Sequence, residues 1–240
     1  MRAAILAFVA LAAIVQAAPA PNPYFPYFPP TGNGGHASTG NTGDANGGSV
    51  INDGYFISNG YKANKAGNGG VSWSGDAFAG NGGYFGGNGG NAHTGNTGDA
   101  NGGDVINAGK YITNSAGANK AGNGGISKSG NAYAGNGKRY YFPSGGNGGH
   151  AWTGNTGDAN GGNVVNDGWY IYNGYGANKA GNGGVSWSGD AYAGNGGYFG
   201  GNGGNAKSGN TGDANGGSVV NTGGFITNGP GASEYPDSLS

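Results

Sequence analysis

Gly40-Asn41-Thr42-Gly43-Asp44-Ala45-Asn46-Gly47-Gly48 decides the fold, because the same nine residues return unchanged from Gly95, Gly154 and Gly209. The spacings are 55, 59 and 55 residues. Self-similarity at a near-fixed period is the mark of stacked copies of one supersecondary unit, and it is read before local propensity. Working outward, Asn64-Lys65-Ala66-Gly67-Asn68-Gly69-Gly70 also recurs, from Asn119 and from Asn178. Four units follow, the last cut short near Asn228.

A finer grammar lies inside each unit. Asn-Gly-Gly falls at Asn33, Asn46, Asn68, Asn81 and Asn88, in steps of 13, 22, 13 and 7 residues that together restore the 55. Each unit therefore holds two 13-residue modules, NGGHASTGNTGDA and NGGVSWSGDAFAG in the first. A coarser level is also present. Residues 32–86 and 146–200 differ at eight of 55 positions, and Tyr27-Phe28-Pro29 and Tyr141-Phe142-Pro143 precede them. The chain is a doubled pair of units with Lys138-Arg139 at the joint. In a secreted protein this dibasic pair reads either as a processing site for a kexin- or furin-like protease or as a solvated loop insertion.

The ends read differently. Met1 and Arg2 precede an apolar run from Ala3 to Val15, followed by small residues, which is the pattern of a signal peptide cleaved after Ala17. That run is shorter than the roughly 20 residues needed to cross a bilayer, and no second one follows. The expected organisation is a signal peptide over 1–17 and a Pro/aromatic segment over 18–31. Units one and two then fill 32–139, units three and four 140–229, and a tail 230–240.

Composition narrows the physics. Glycine supplies 62 of 240 residues, cysteine none, and Leu beyond the signal occurs only at Leu239. No disulfide framework, thiolate metal site or ordinary leucine core is available. A net charge of −1 with 12% aromatic residues is unlike a solvated disordered linker. It also lacks the clustered Lys and Arg that bind a phosphate backbone, so nucleic acid is not an expected partner. Helix is disfavoured, since each glycine costs about 1 kcal/mol there relative to alanine. Val71-Ser72-Trp73-Ser74 alternates large and small, and Ser49-Val50-Ile51-Asn52 and Tyr55-Phe56-Ile57 are β-branched or aromatic, so short strands are expected. Asn-Gly pairs suit tight corners through positive φ. The predicted fold is an all-β, solenoid-like stack of short strands and Asn-Gly turns, with Asn and Thr able to form internal hydrogen-bonded ladders. The alternative is a largely disordered low-complexity chain that self-assembles through aromatic stickers, such as Gly-Tyr-Phe-Gly at Tyr84-Phe85 and Tyr198-Phe199.

Candidate chemistry is sparse. His36, His93 and His150 read as one repeat position, occupied by Lys207 in the fourth unit, and so as a solvated site rather than a catalytic one. Asp44, Asp99, Asp158 and Asp213 fall once per unit, too thinly for the 6–8 oxygens of a Ca²⁺ shell, and read as turn residues. No Gly-Lys-Ser/Thr follows the Gly-Asn-Gly-Gly runs, which removes a phosphate loop. No Asn-x-Ser/Thr with a permitted middle residue occurs, so N-glycosylation is not expected. Trp73, Trp152 and Trp187, with Tyr61, Phe78, Tyr175 and Tyr192, form either a surface row of rings or the packing material of the interior. Thr39, Thr42, Thr94, Thr97, Thr153 and Thr156 supply a repeated hydroxyl pair that a ring-and-hydroxyl binding face could use.

The Asn-Gly-Gly modules and the Gly-Tyr-Phe-Gly pieces resemble, at the level of class, the glycine- and asparagine-rich secreted repeat proteins of cell walls, matrices and coats. The resemblance covers about residues 32–229. It implies an extracellular structural role without catalysis or cofactor. Self-association through Trp73, Tyr84, Phe85, Trp152, Trp187, Tyr198 and Phe199 is then expected. The alternatives are a monomeric module for a wall polysaccharide or for ice, and a precursor cut at Lys138-Arg139.

Overall fold

The computed structural model describes residues 32–84, 86–138, 145–198 and 200–230, and the backbone of 233–234. The signal segment, Ala17, Arg139, Phe85, Phe199 and the tail beyond Glu234 lie outside the described residues. Every described regular element is a short β-strand. The first rung carries β1 (Ala37–Ser38), β2 (Val50–Asp53), β3 (Phe56–Asn59), β4 (Asn64–Lys65), β5 (Val71–Trp73) and β6 (Ala77–Phe78). The second repeats them as β7 (Ala92–His93), β8 (Val105–Ala108), β9 (Tyr111–Asn114), β10 (Asn119–Lys120), β11 (Ile126–Lys128) and β12 (Ala132–Tyr133). The third has β13 (Ala151–Trp152), β14 (Val164–Asp167), β15 (Tyr170–Asn173), β16 (Asn178–Lys179), β17 (Val185–Trp187) and β18 (Ala191–Tyr192). The fourth has β19 (Ala206–Lys207), β20 (Val219–Thr222), β21 (Phe225–Asn228) and β22 (Ser233–Glu234).

Each strand pairs in parallel with its counterpart one rung away, giving six sheets that run up the stack. Val50 stands under Val105, then Val164, then Val219, and the other ladders keep the same register. One sequence unit is therefore one complete coil of a solenoid, and the offset in every ladder is the repeat length. At about 4.8 Å per rung, four rungs span only about 14 Å from first backbone to last. The molecule is a thin block with a long, winding coil outline. Its extra four residues fall between rungs two and three: Gly82 and Gly137 still correspond at 55, whereas Gly137 and Gly196 correspond at 59. Lys138 opens that insertion. It is exposed, and its carbonyl accepts the Gly86 amide at 3.1 Å.

The uneven steps in the sequence have separate structural meanings. The two 13-residue modules run antiparallel, face to face, within one coil. Gly80 donates to the Gly35 carbonyl, Gly70 to Ala45 and Gly67 to Gly48, at 2.8, 2.5 and 2.8 Å. The 22-residue step holds the excursion bearing β2, β3 and β4, and the 7-residue step crosses to the next rung. At the root of the excursion a glycine zigzag climbs the whole stack. Gly67 donates to Gly48, Gly103 to Gly67, Gly122 to Gly103 and Gly162 to Gly122, all at 2.8–2.9 Å. A Cβ at Gly122 would overlap the Gly67 carbonyl, so close backbone approach is what selects glycine there.

Positive φ is rarely used. Among the described residues it occurs only at Lys62, Gly86, Gly117, Gly176 and Gly200. The expected Asn-Gly corners of hairpin type are thus replaced by extended Asn-Gly-Gly runs. Two-residue turns do occur between the excursion strands, closed by Ala63 to Gly60, Ala118 to Ser115 and Ala177 to Gly174, but their central pairs are Tyr61-Lys62, Ala116-Gly117 and Tyr175-Gly176 rather than Asn-Gly.

Two cores result. Between the modules Ala37, Ala77, Ala92, Ala132 and Ala151 pack together, a layer that admits only small side chains. Inside the excursion, Val105, Val164, Ala66 and Ala121 form one cluster and Ile57, Ile112 and Ile171 another. The interior also carries asparagine ladders. Asn52 Nδ2 donates to Asn107 Oδ1, Asn107 to Asn166 and Asn166 to Asn221, at 2.7–2.8 Å. Asn59, Asn114, Asn173 and Asn228 form a second ladder, and Asn64, Asn119 and Asn178 a third. An amide donates upward and accepts from below, so each rung satisfies its neighbour without a charge.

Candidate functional site: the outward faces

Alternation along each strand sends one residue inward and the next outward. On the second module, Ser72 and Ala77 face the small core while Val71, Trp73 and Phe78 face solvent. Stacking rungs turns these outward residues into three columns. Val71, Ile126 and Val185 form the first, Trp73, Lys128 and Trp187 the second, and Phe78, Tyr133 and Tyr192 the third. Trp73 is 51% exposed and Trp187 59%, so these rings are not the interior packing material. The core consists instead of Ala, Val, Ile, Asn, Ser and Thr, because backbone hydrogen bonds such as Gly80 to Gly35 hold the two modules too close together to admit a ring between them.

The geometry within the columns is tight. Phe78–Tyr133 and Tyr133–Tyr192 stack with centroids 4.8 Å apart and planes within 4°. A longer column on the excursion stacks Phe56, Tyr111, Tyr170 and Phe225 at 4.9–5.2 Å. Lys128 Nζ lies 5.1 Å from the Trp73 ring and 4.9 Å from Trp187, a cation held between two indoles. Beside the long column, the Tyr55 hydroxyl holds the Lys110 ammonium above its ordinary pKa through a hydrogen bond. Tyr192 is pushed up by the charge of Asp190, to which it also donates at 3.3 Å.

Trp73, Trp152 and Trp187 do not form one row. Trp152 sits on the outer face of the first module, in the column Ser38, His93, Trp152, Lys207. That face is polar and lies on the far side of the small core from Trp73 and Trp187. Tyr84 and Tyr198, in the rung crossings, are 47% and 89% exposed.

The histidines are not one repeat position either. Ala37 pairs with Ala92, which aligns His36 with Asn91 and His150, whereas His93 aligns with Ser38 and Trp152. His36 and His150 take the role of asparagine: Nδ1 of His36 accepts the Asn91 amide at 2.8 Å, and Nδ1 of His150 accepts that of Asn205 at 2.9 Å. The aspartates do the same work. Asp44 Oδ1 accepts from the Asp99 amide, Asp99 from Asp158, and Asp158 from Asp213. No group of three or more His, Cys, Asp or Glu able to hold a metal occurs among the described residues.

The threonine pair faces inward. Thr94 is fully buried, and Thr39, Thr97, Thr153 and Thr156 are at most 8% exposed. Thr97 and Ser127 share a 2.7 Å hydrogen bond across the module core, and Thr94 donates to the Gly130 carbonyl. A ring-and-hydroxyl face using these threonines is therefore not formed. The sequence signal that could have shown this was their place on the alanine side of the alternation, as in Ala37-Ser38-Thr39.

No helix of the described residues is long and apolar enough to cross a membrane. Comparison with protein-family models, curated proteins and solved structures returns no match to this chain.

Proposed function

We propose that this is a secreted, non-enzymatic structural protein that coats an extracellular surface or wall by associating with other copies of itself. The observation that carries the reading is the outward face of the second module. Val71, Trp73, Phe78, Ile126, Val185, Trp187 and Tyr192 are each at least 42% exposed on one rigid surface three rungs high. Contiguous apolar patches of this kind mark contact sites. The columns also favour protein over polysaccharide as the partner. A sugar stacks on a ring face, but within these columns the faces between rungs are covered by the ring or the lysine of the next rung, which leaves only the end faces of Trp73, Phe78, Trp187 and Tyr192. What points outward is ring edge and aliphatic side chain, which suits packing against a second such surface.

The test is lateral association of the chain carrying Trp73→Ser and Trp187→Ser, followed by sedimentation and by retention on a hydrophobic surface. The expected result is retained β circular dichroism with about tenfold weaker association, since two exposed indoles are lost. Association equal to the parent's would overturn the role given to this face.

A further inference from the structure

The lateral face leaves the two ends of the stack unexplained. Among the described residues, nothing covers the underside of rung one or the top of rung four. A solenoid end is a row of open backbone groups, which natural repeat proteins usually cap. Here the open groups match each other. Throughout the stack the lower rung donates upward at fixed positions: Ala151 to Asn205, Thr153 to Lys207, Thr156 to Asn210, Ala159 to Asp213, Gly161 to Asn215 and Val164 to Ser218. By register, the amides left pointing up from rung four are those of Ala206, Ser208, Thr211, Ala214, Gly216 and Val219. The carbonyls left pointing down from rung one are those of His36, Ser38, Asn41, Asp44, Asn46 and Ser49. Six donors face six acceptors in the same order.

The side chains are polarised in the same sense. Asn221 and Asn228 accept from the rung below, and among the described residues their own Nδ2 groups meet no acceptor above. Asn52 and Asn59 donate upward, and among the described residues their Oδ1 atoms meet no donor below. Phe56 below and Phe225 above are the end rings of the long column, each stacked on one neighbouring rung only.

The order of the units points the same way. Unit one differs from unit three at eight of 55 positions, and residues 201–228 differ from 87–114 at seven of 28. A second copy's first rung on this copy's fourth would repeat the contacts that rung three makes on rung two. We infer that copies stack head to tail, rung four of one under rung one of the next, in parallel register. Such a contact is heterologous and does not close, so it builds a filament. It uses the first module and the excursion. The fourth rung carries no second-module strand among the described residues, which leaves a slot one rung high above β17 and β18. The inference rests on the self-associating reading but not on the aromatic lateral face.

The test is Asn221→Asp with Asn228→Asp. Aspartate keeps the Oδ oxygens that Asn166 and Asn173 donate to, removes the upward donors, and sets carboxylates against the Asn52 and Asn59 oxygens of an incoming copy. Sedimentation velocity and X-ray fibre diffraction are read for the parent, for this variant and for Trp73→Ser/Trp187→Ser. The parent is expected to form linear assemblies with a reflection at about 4.8 Å along the axis. The double aspartate should stay monomeric to concentrations about tenfold higher or more, with unchanged circular dichroism. The tryptophan variant should keep the filaments and lose their bundling. Filaments unchanged by the two aspartates, or a parent whose assemblies vanish in the tryptophan variant alone, would overturn axial stacking and leave lateral association standing. A parent monomeric at all concentrations would overturn both.

Discussion

At the scale of single residues, backbone conformation and close approach decide more than side-chain chemistry. Lys62 has φ of 54°, and its counterparts in the next two rungs are Gly117 at 60° and Gly176 at 53°. A left-handed conformation costs an ordinary L-residue about 1 kcal/mol, and glycine nothing. Lys62→Gly is therefore expected to stabilise the chain by about 0.5 kcal/mol, after the added unfolded-state entropy of glycine is subtracted. Lys62 also lies over the Tyr61 ring at 4.9 Å, an exposed contact too weak to reverse the sign. A chemical denaturation midpoint that falls in this variant would contradict the account. The glycines of the zigzag are a different case. They are fixed by contact with a carbonyl of the neighbouring strand, and nothing in Asn-Gly-Gly distinguishes that reason from a turn.

At the scale of elements, the excursion holds the larger buried side chains, Ile112, Val105, Val164 and the asparagines. Asn107 is fully buried and accepts from Asn52 at 2.7 Å and Asn59 at 3.0 Å while donating to Asn166 at 2.8 Å. Leaving buried amide groups unmatched costs about 1–3 kcal/mol. Asn107→Ala is expected to destabilise by about 3 kcal/mol, whereas Asn221→Ala at the stack end should cost less than half as much. Equal losses at the two positions, measured by denaturant titration, would show that the ladder contributes nothing cooperative. The third ladder shows what happens where a repeat fails. Among the described residues, Asn178 Nδ2 is buried without a partner where the ladder meets Ser233, and Asn182 Oδ1, the last of the separate column Asn68, Asn123, Asn182, is also unpartnered.

The strands themselves were legible as short β segments, and the internal Asn ladders as an expectation. The inward direction of the threonines and the outward direction of the rings were not. Alternation tells which residues share a side, but not which side is covered. A chain poor in leucine invites the guess that its rings must fill the core, and the close backbone approach of the two modules forbids it.

At the scale of the whole molecule, stability flows through neighbouring rungs rather than through one central core. Val105 and Val164, in the middle rungs, are fully buried. Their counterparts Val50 and Val219, in the outer rungs, are half-buried. In a nearest-neighbour stack the middle is protected and the ends fray. Amide exchange on dilute monomer is expected to be slowest in β8, β9, β14 and β15 and fastest in β19 to β22. Protection spread evenly over the four rungs would mean that the ends are capped. Loss of that difference on raising the concentration would be the solution signature of stacking.

The sequence by itself determined the repeat, its length, the all-β class and the absence of disulfides. The period in the residues is the period of the coil, and a parallel register copies it faithfully. The meaning of the 13, 22, 13 and 7 steps was decided only by the tertiary structure. Two modules close face to face, an excursion takes the larger side chains, and the crossing lifts the chain one rung. The histidines were legible in the sequence, since spacings of 57 and 57 residues depart from the 55 and 59 of the repeat and put His93 two residues out of register with His36 and His150. Local pattern fixes which residues repeat. Only the packing of one module against the other fixes which of them water can reach.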